Sequence, residues 1–143
     1  MKPRDFPFAA EVGVRWSDMD AFGHVNHARI VTMLEEARIQ WLLDVGQEYR
    51  KLIMGAMIVD VHIRYQSQLR HEDSPLHIGM WIAGFRTVEF TLGYEVRAAG
   101  AELDTKPACR ATTKMAVVDV DEHRLRRLDD EEKELLTRWS RDY

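Results

Sequence analysis

From Ala28 onward, apolar residues return at every third or fourth position: Ile30, Leu34, Ala37, Trp41 and Val45 form one stripe, which Val31, Met33, Leu42 and Leu43 widen. That recurrence places side chains on one face of an α-helix, and a stripe this wide asks for burial over more than half of the circumference. The spacing predicts a helix over roughly 27–45, with Asn26 as its N-cap and Gly46 as its C-terminal cap. A helix so apolar has to be enclosed, and the rest of the chain offers a sheet to do it. Ala10, Val12, Val14 and Trp16 alternate with Glu11, Gly13 and Arg15, the period of a strand with one buried face. Met57, Val59, Val61, Ile63 and Tyr65 alternate in the same way with Ile58, Asp60, His62 and Arg64.

Two further strands, Leu76–Ala83 and Val88–Val96, are expected to form a hairpin around Gly84-Phe85-Arg86-Thr87, and residues 108–120 to add another after a turn at Ala98–Glu102. From Asp129 the pattern turns helical again, with Leu135, Leu136 and Trp139 on one side of a charged segment. The expected class is α+β: an antiparallel sheet of about five strands wrapped around one long helix. A chain of 143 residues suits a single domain, 1–143. Small sheets of this kind often complete their burial by dimerising.

Composition narrows the function. A net charge of −4 lacks the field that draws a protein to phosphate backbones, so no nucleic-acid partner is expected. The basic cluster His123-Arg124-Leu125-Arg126-Arg127 reads as a solvated turn, with room for one phosphorylated small ligand. Cys109 is the only cysteine, which excludes an intrachain disulfide and a four-cysteine zinc site; inside a strand-like run it reads as a structural thiol. Residues 1–7 show no signal-peptide core, and no run of about 18 apolar residues occurs, so a cytoplasmic protein without a membrane span is expected. Gly-x-Ser-x-Gly, Walker A and Gly-x-Gly-x-x-Gly are absent, leaving serine-hydrolase, nucleoside-triphosphatase and Rossmann readings without support.

The chemistry concentrates just before the helix, in Arg15-Trp16-Ser17-Asp18-Met19-Asp20-Ala21-Phe22-Gly23-His24-Val25-Asn26-His27. Two carboxylates and two imidazoles there are competent in proton transfer, and Gly23 permits a close backbone approach. They abut a helix N-terminus, whose unengaged N–H groups and partial positive charge suit an oxygen developing negative charge. Carboxylate plus backbone donor suggests acyl-group hydrolysis. The spacing matches no zinc pattern, so neither a metal nor a cofactor is expected.

Arg15-Trp16-x-Asp18-x-Asp20-x-x-Gly23-His24-Val25-Asn26, followed by Glu35-Glu36-Ala37-Arg38, resembles the hotdog-fold acyl-CoA thioesterases of the 4-hydroxybenzoyl-CoA thioesterase type, most strongly over residues 14–41. The resemblance implies hydrolysis of an acyl-CoA to free acid and coenzyme A, with Asp20 as catalytic carboxylate, Asp18 supporting it, and the N–H of His27 as oxyanion donor. It also implies that Gly23, His24, Val25 and Asn26 form the substrate-binding turn. The side chain of His27 matches a functional His in members from the Tol-Pal gene cluster, which carry Tyr in place of Trp16. Members more like fatty acyl-CoA thioesterases read Gly-His-Val-Asn-Asn with an aromatic residue three positions later, where this chain has His27 and Ile30. Acyl-chain preference therefore transfers from neither group. A second class of hotdog enzymes places its carboxylate on the helix, where Glu35 and Glu36 stand. A homodimer or homotetramer is implied, with Arg64, Arg70, Arg86 and Arg110 as candidates for the coenzyme phosphates. Whether Asp20 attacks the carbonyl or activates water stays open. A non-catalytic acyl-CoA or acyl-carrier-protein binding module is the alternative reading.

Overall fold

The computed structural model describes residues 6–44 and 50–141. In chain order it contains β1 (Phe8–Val12), a 3-10 turn (Trp16–Asp18), α1 (His27–Asp44), α2 (Arg50–Met54), β2 (Ala56–Tyr65), a second 3-10 turn (His71–Asp73), β3 (Leu76–Phe85), β4 (Glu89–Arg97), β5 (Cys109–Asp119), β6 (Arg124–Leu125) and α3 (Asp130–Arg138). The strands pair antiparallel in the order β1–β3–β4–β5–β2, and the short β6 adds to the end of β5. This is the expected α+β arrangement. The period-two residues of β3, β4 and β5 (Leu76, Ile78 and Met80; Phe90, Leu92 and Tyr94; Cys109, Ala111 and Thr113) are buried on one face. Across that face lies α1, burying Ile30, Met33, Leu34, Ala37 and Trp41. Each of Ile30, Met33 and Leu34, withdrawn from water, stabilises the fold by about 1.5–3 kcal/mol.

Three expectations need correction. The first strand ends at Val12, paired with Leu76, and does not reach Trp16. Beyond it the backbone donors turn to side chains: Val14 N–H to Ser74 Oγ at 2.9 Å and Arg15 N–H to Asp18 Oδ2 at 2.8 Å. Trp16, read as a strand residue on the buried face, is 76% exposed. Next, the buried stripe of α1 is narrower than its composition suggests, because Val31, Ile39 and Leu43 are exposed. The reason is geometric. Ile58, Val61 and Tyr65 share the helix-facing side through their pairing with Met115, Thr113 and Cys109, yet stay 44%, 36% and 46% exposed, so the sheet extends past what α1 covers. Third, the basic cluster is not wholly a solvated turn: Arg124 and Leu125 form β6, and Arg126 holds Glu132 through two hydrogen bonds of 2.7 Å. Val45 and Gly46 lie outside the described residues.

One polar group sits within the apolar layer. Arg38, 5% exposed, donates from Nη1 to the Tyr94 hydroxyl at 3.2 Å, and that hydroxyl lies 2.8 Å from Thr113 Oγ1. On the opposite face, Gly79 and Gly93 leave the sheet bare where the rings of Phe6 and Trp81 lie against it; a Cβ at either glycine would overlap the ring. Arg141 caps those rings, 4.3 Å from the Phe6 centroid and 5.4 Å from that of Trp81.

Candidate active site

The acidic stretch folds as two consecutive hydrogen-bonded turns. In the first, Asp18, 3% exposed, accepts the Arg15 N–H and faces its guanidinium at 3.4 Å. Burial pushes the Asp18 carboxyl up, but the Arg15 N–H and guanidinium outweigh that and hold its pKa below the ordinary value. In the second, the Asp20 N–H donates to the His24 carbonyl at 2.7 Å, while Asp20 Oδ1 accepts from the N–H groups of Phe22 at 2.8 Å and His24 at 3.0 Å. This tight loop passes through Gly23 at φ 80°, a conformation that L side chains rarely adopt. The His24 N–H, then the Phe22 N–H, with the His24 and His27 imidazoles nearby, depress the Asp20 pKa; the carboxylate is ionised at neutral pH. Its Oδ2 accepts no hydrogen bond from the described residues.

Immediately after, Asn26 caps α1. Its side-chain oxygen accepts the Ala28 N–H at 2.9 Å and its carbonyl the Arg29 N–H at 2.9 Å, while its own N–H donates to the Asp18 carbonyl at 2.8 Å. The His27 N–H, between them, is left without an acceptor among the described residues. The helix start is held from across the sheet as well: the Tyr65 hydroxyl, at the end of β2, donates to the His27 carbonyl at 2.6 Å. Partial burial raises the Tyr65 pKa, so it remains a neutral donor.

Asp20 and His27 open onto one cavity of about 410 Å³. Val25, Ile30, Leu69 and Cys109 give it an apolar wall, and Tyr65 with the segment Gln66–Gln68 a polar one. Burial pushes the Cys109 thiol up to about 11, so it stays protonated and offers no nucleophile. Of the residues singled out in sequence, the structure brings Asp20, Val25 and His27 to this cavity. Gly23, His24 and Asn26 do not line it: Gly23 and His24 act through the backbone, as the loop's left-handed residue and an N–H donor to Asp20, and Asn26 caps the helix through its side-chain oxygen. Glu35 and Glu36 do not line it; both are exposed, and Glu35 lies 3.8 Å from Arg38.

The four candidate arginines separate. Arg64 and Arg110 are register partners on the sheet face away from α1, and Arg86 lies in the β3–β4 hairpin, at the opposite end of β4 from the residue pairing with Cys109. Arg70 directly follows the cavity wall at Gln68 and Leu69, whereas Arg64 and Arg110, next in sequence to Tyr65 and Cys109 of that wall, belong to the other face of the sheet. Sequence reasoning missed Tyr65 and the Gln66–Leu69 wall. Their one signal was a polar run ending a strand pattern, and only the β2–β5 register and the 2.7 Å bond from Val25 N–H to the Leu69 carbonyl carry them to the acidic loop. Among the described residues, no group of three or more His, Cys, Asp or Glu side chains is placed to hold a metal ion.

Comparison with known proteins bears on the family and the fold. The family model described as "Thioesterase-like superfamily" matches residues 14–136. A relative from Bacillus subtilis (strain 168), named "Putative acyl-CoA thioesterase YneP", is 25% identical over 99 residues, 67% of this chain and 71% of that one. Among solved structures, a thioesterase from Thermus thermophilus complexed with coenzyme A and Zn superposes with a TM-score of 0.80 at 19% identity, covering 100% of both chains. Slr0204, a 1,4-dihydroxy-2-naphthoyl-CoA thioesterase from Synechocystis, does so with a TM-score of 0.73 at 19% identity, over 91% of this chain and 95% of that one. Those two likenesses concern the fold, whereas the family model spans nearly the whole sequence, including the acidic loop and α1: the chain belongs to the thioesterase-like superfamily and is a thioester hydrolase of the hotdog fold.

Proposed function

We propose that the protein hydrolyses the thioester of an acyl-CoA to the free acid and coenzyme A. The observation that carries this reading is the shared cavity: the ionised Asp20 carboxylate, fastened through one oxygen, and the helix start at His27, with its N–H unengaged among the described residues, open onto the same partly apolar volume. The names of the B. subtilis relative and of the Synechocystis enzyme support a CoA thioester as the substrate class.

With the acyl chain against Val25 and Ile30, the thioester carbonyl oxygen meets the His27 N–H, where the helix end stabilises developing negative charge. Asp20 then takes a proton from water as the water oxygen bonds to the carbonyl carbon; in the alternative route the carboxylate itself attacks and the resulting mixed anhydride is opened by water. Either way the C–S bond breaks with its electron pair on sulfur, and the thiolate picks up the proton that water lost. A thiol ionising near pH ~8.5 leaves readily without a strong general acid. The His27 imidazole, at the cavity wall, orients the water or contacts the sulfur.

A homodimer, or a dimer of dimers, belongs to the same proposal. On β2, an edge strand among the described residues, Met57, Ile58, Val59 and Val61 are exposed. An apolar edge of this length invites strand pairing, and a second copy added there would cover both the free backbone groups and the apolar side chains.

The test is free-thiol release from a panel of acyl-CoAs by wild type and Asp20→Asn. Thiol release that falls about 100-fold or more in Asp20→Asn, with acyl-CoA binding retained, supports the proposal. Saturable binding without release would replace it with the acyl-CoA or acyl-carrier-protein binding module, and unchanged turnover in the variant would refute the catalytic role of Asp20.

A further inference from the structure

The residues that begin the two 3-10 turns are arranged alike. Arg15-Trp16-Ser17-Asp18 and Arg70-His71-Glu72-Asp73 both read Arg, ring, x, Asp, and in both the Asp side chain accepts the N–H of the Arg at 2.8 Å. The turns face one another so that the Trp16 and His71 rings stack, centroids 4.0 Å apart and planes 3° from parallel. His71 covers one face of the indole; Trp16 is nevertheless 76% exposed. A tryptophan held flat by a neighbour and by its own turn, yet open to water, contributes little to the core and is a ready surface for another flat ring. Charge surrounds it. The Arg15 and Arg70 side chains are 69% and 61% exposed, their carboxylate neighbours Asp18 and Glu72 lie at 3.4 and 3.9 Å, and Arg29 is exposed on the first turn of α1.

The position matters as much as the composition. Trp16 lies four residues before Asp20, and Arg70 directly follows the cavity wall at Leu69, whose carbonyl is tied to Val25 N–H. An exposed aromatic plate whose two rings each follow an arginine in sequence, one of those arginines next to the wall of an acyl-thioester cavity, fits the far end of the substrate: a purine that stacks, with phosphates that arginines attract. We propose that the Trp16–His71 stack, flanked by Arg15 and Arg70, is the docking platform for the adenine nucleotide of coenzyme A. This rests on the acyl-CoA reading of the site and adds to it the residues that distinguish coenzyme A from a shorter thiol carrier.

The test compares one acyl group on two thiols, coenzyme A and N-acetylcysteamine, which lacks the nucleotide. In Trp16→Ala the ratio of kcat/KM for the CoA ester to that for the N-acetylcysteamine ester falls about tenfold, through KM of the CoA ester, and Trp16→Phe restores most of it; stacking of a base on an aromatic side chain supports a change of this size. Adenosine 3′,5′-diphosphate quenches tryptophan fluorescence of the wild type, and the quench disappears in Trp16→Ala and weakens with salt in proportion to the arginine contribution. An unchanged ratio, or equal losses on both esters, would overturn the platform, as would wild-type protein that turns over the CoA ester but shows no nucleotide quench. Nucleotide binding dependent on Trp16 in a protein that cleaves neither ester would instead sink the hydrolase reading and leave the platform standing.

Discussion

Replacing Tyr94 by Phe removes one oxygen from the interior and keeps the ring. That oxygen accepts from Arg38 Nη1 at 3.2 Å and shares a hydrogen bond with Thr113 Oγ1 at 2.8 Å, at a residue that is 0% exposed. The only carboxylate paired with Arg38 among the described residues is Glu35, 3.8 Å away with a side chain 60% exposed, so Tyr94 is the main partner inside the core. A hydrogen bond to a charged group contributes about 1.5–3 kcal/mol, and a buried donor left unpaired costs a similar amount. These are two descriptions of one loss, so the expected destabilisation is about 2–3 kcal/mol. For a chain of this size that corresponds to a fall in Tm of roughly 4–12 °C. The assay is urea and thermal unfolding at one fixed protein concentration, since association would shift both midpoints. Arg38→Met in the Tyr94→Phe background should recover part of the loss, because the stranded charge is then gone and an apolar chain of similar length fills the space. The reasoning fails if Tyr94→Phe leaves the stability within about 0.5 kcal/mol of wild type, or if the double variant loses the sum of the two singles.

The depressed pKa of Asp20 places its protonation below the ordinary aspartate range, so kcat/KM should show no acid limb from Asp20 above pH ~4; a limb near pH ~6.5 that survives in His27→Gln and His24→Gln would contradict the role given to this carboxylate. Its contribution to folding has the sign of a lowered carboxylate: present above the unfolded-state pKa and lost as pH falls through the folded one. Gly93→Ala should destabilise by about 1–3 kcal/mol in urea, since the new methyl overlaps the Trp81 indole; an unshifted midpoint would mean that the ring swings aside without cost. Ile58→Lys should reduce the sedimenting mass to the 16.7 kDa of one chain and abolish turnover with it, whereas a wild type that is active as a monomer would remove the case for strand pairing at β2.

Much of this was legible in the residues because it is local. The period of three and four marked α1, the period of two marked β2 to β5, and the Asp-x-Asp loop with its Gly and Asn predicted a tight turn feeding a capped helix; the bonds from Phe22 and His24 to Asp20 and from Ala28 to Asn26 are those short-range contacts. Trp16 was misplaced for the converse reason. Alternation through Val14 and Trp16 is a strand pattern, but the ladder beyond Val12 is displaced by Ser74, a residue 60 positions from Val14, and by the Asp18 carboxylate. The polar segment after Tyr65 had no periodicity to read, so its part in the cavity was invisible.

By itself, then, the sequence determined the kinds of elements, their order, and the hydrogen-bonded loop that presents Asp20 at a helix start, since each depends on backbone preferences and partners within a few residues. The tertiary structure decided which side chains meet there: Tyr65 on the His27 carbonyl, Leu69 on the Val25 amide, His71 against Trp16. It also decided which apolar residues stay uncovered, leaving Ile58 and Val61 on β2 beyond the reach of α1. Strand register and the placement of a helix across a sheet are settled by the packing of distant segments, and no window along the chain contains both partners.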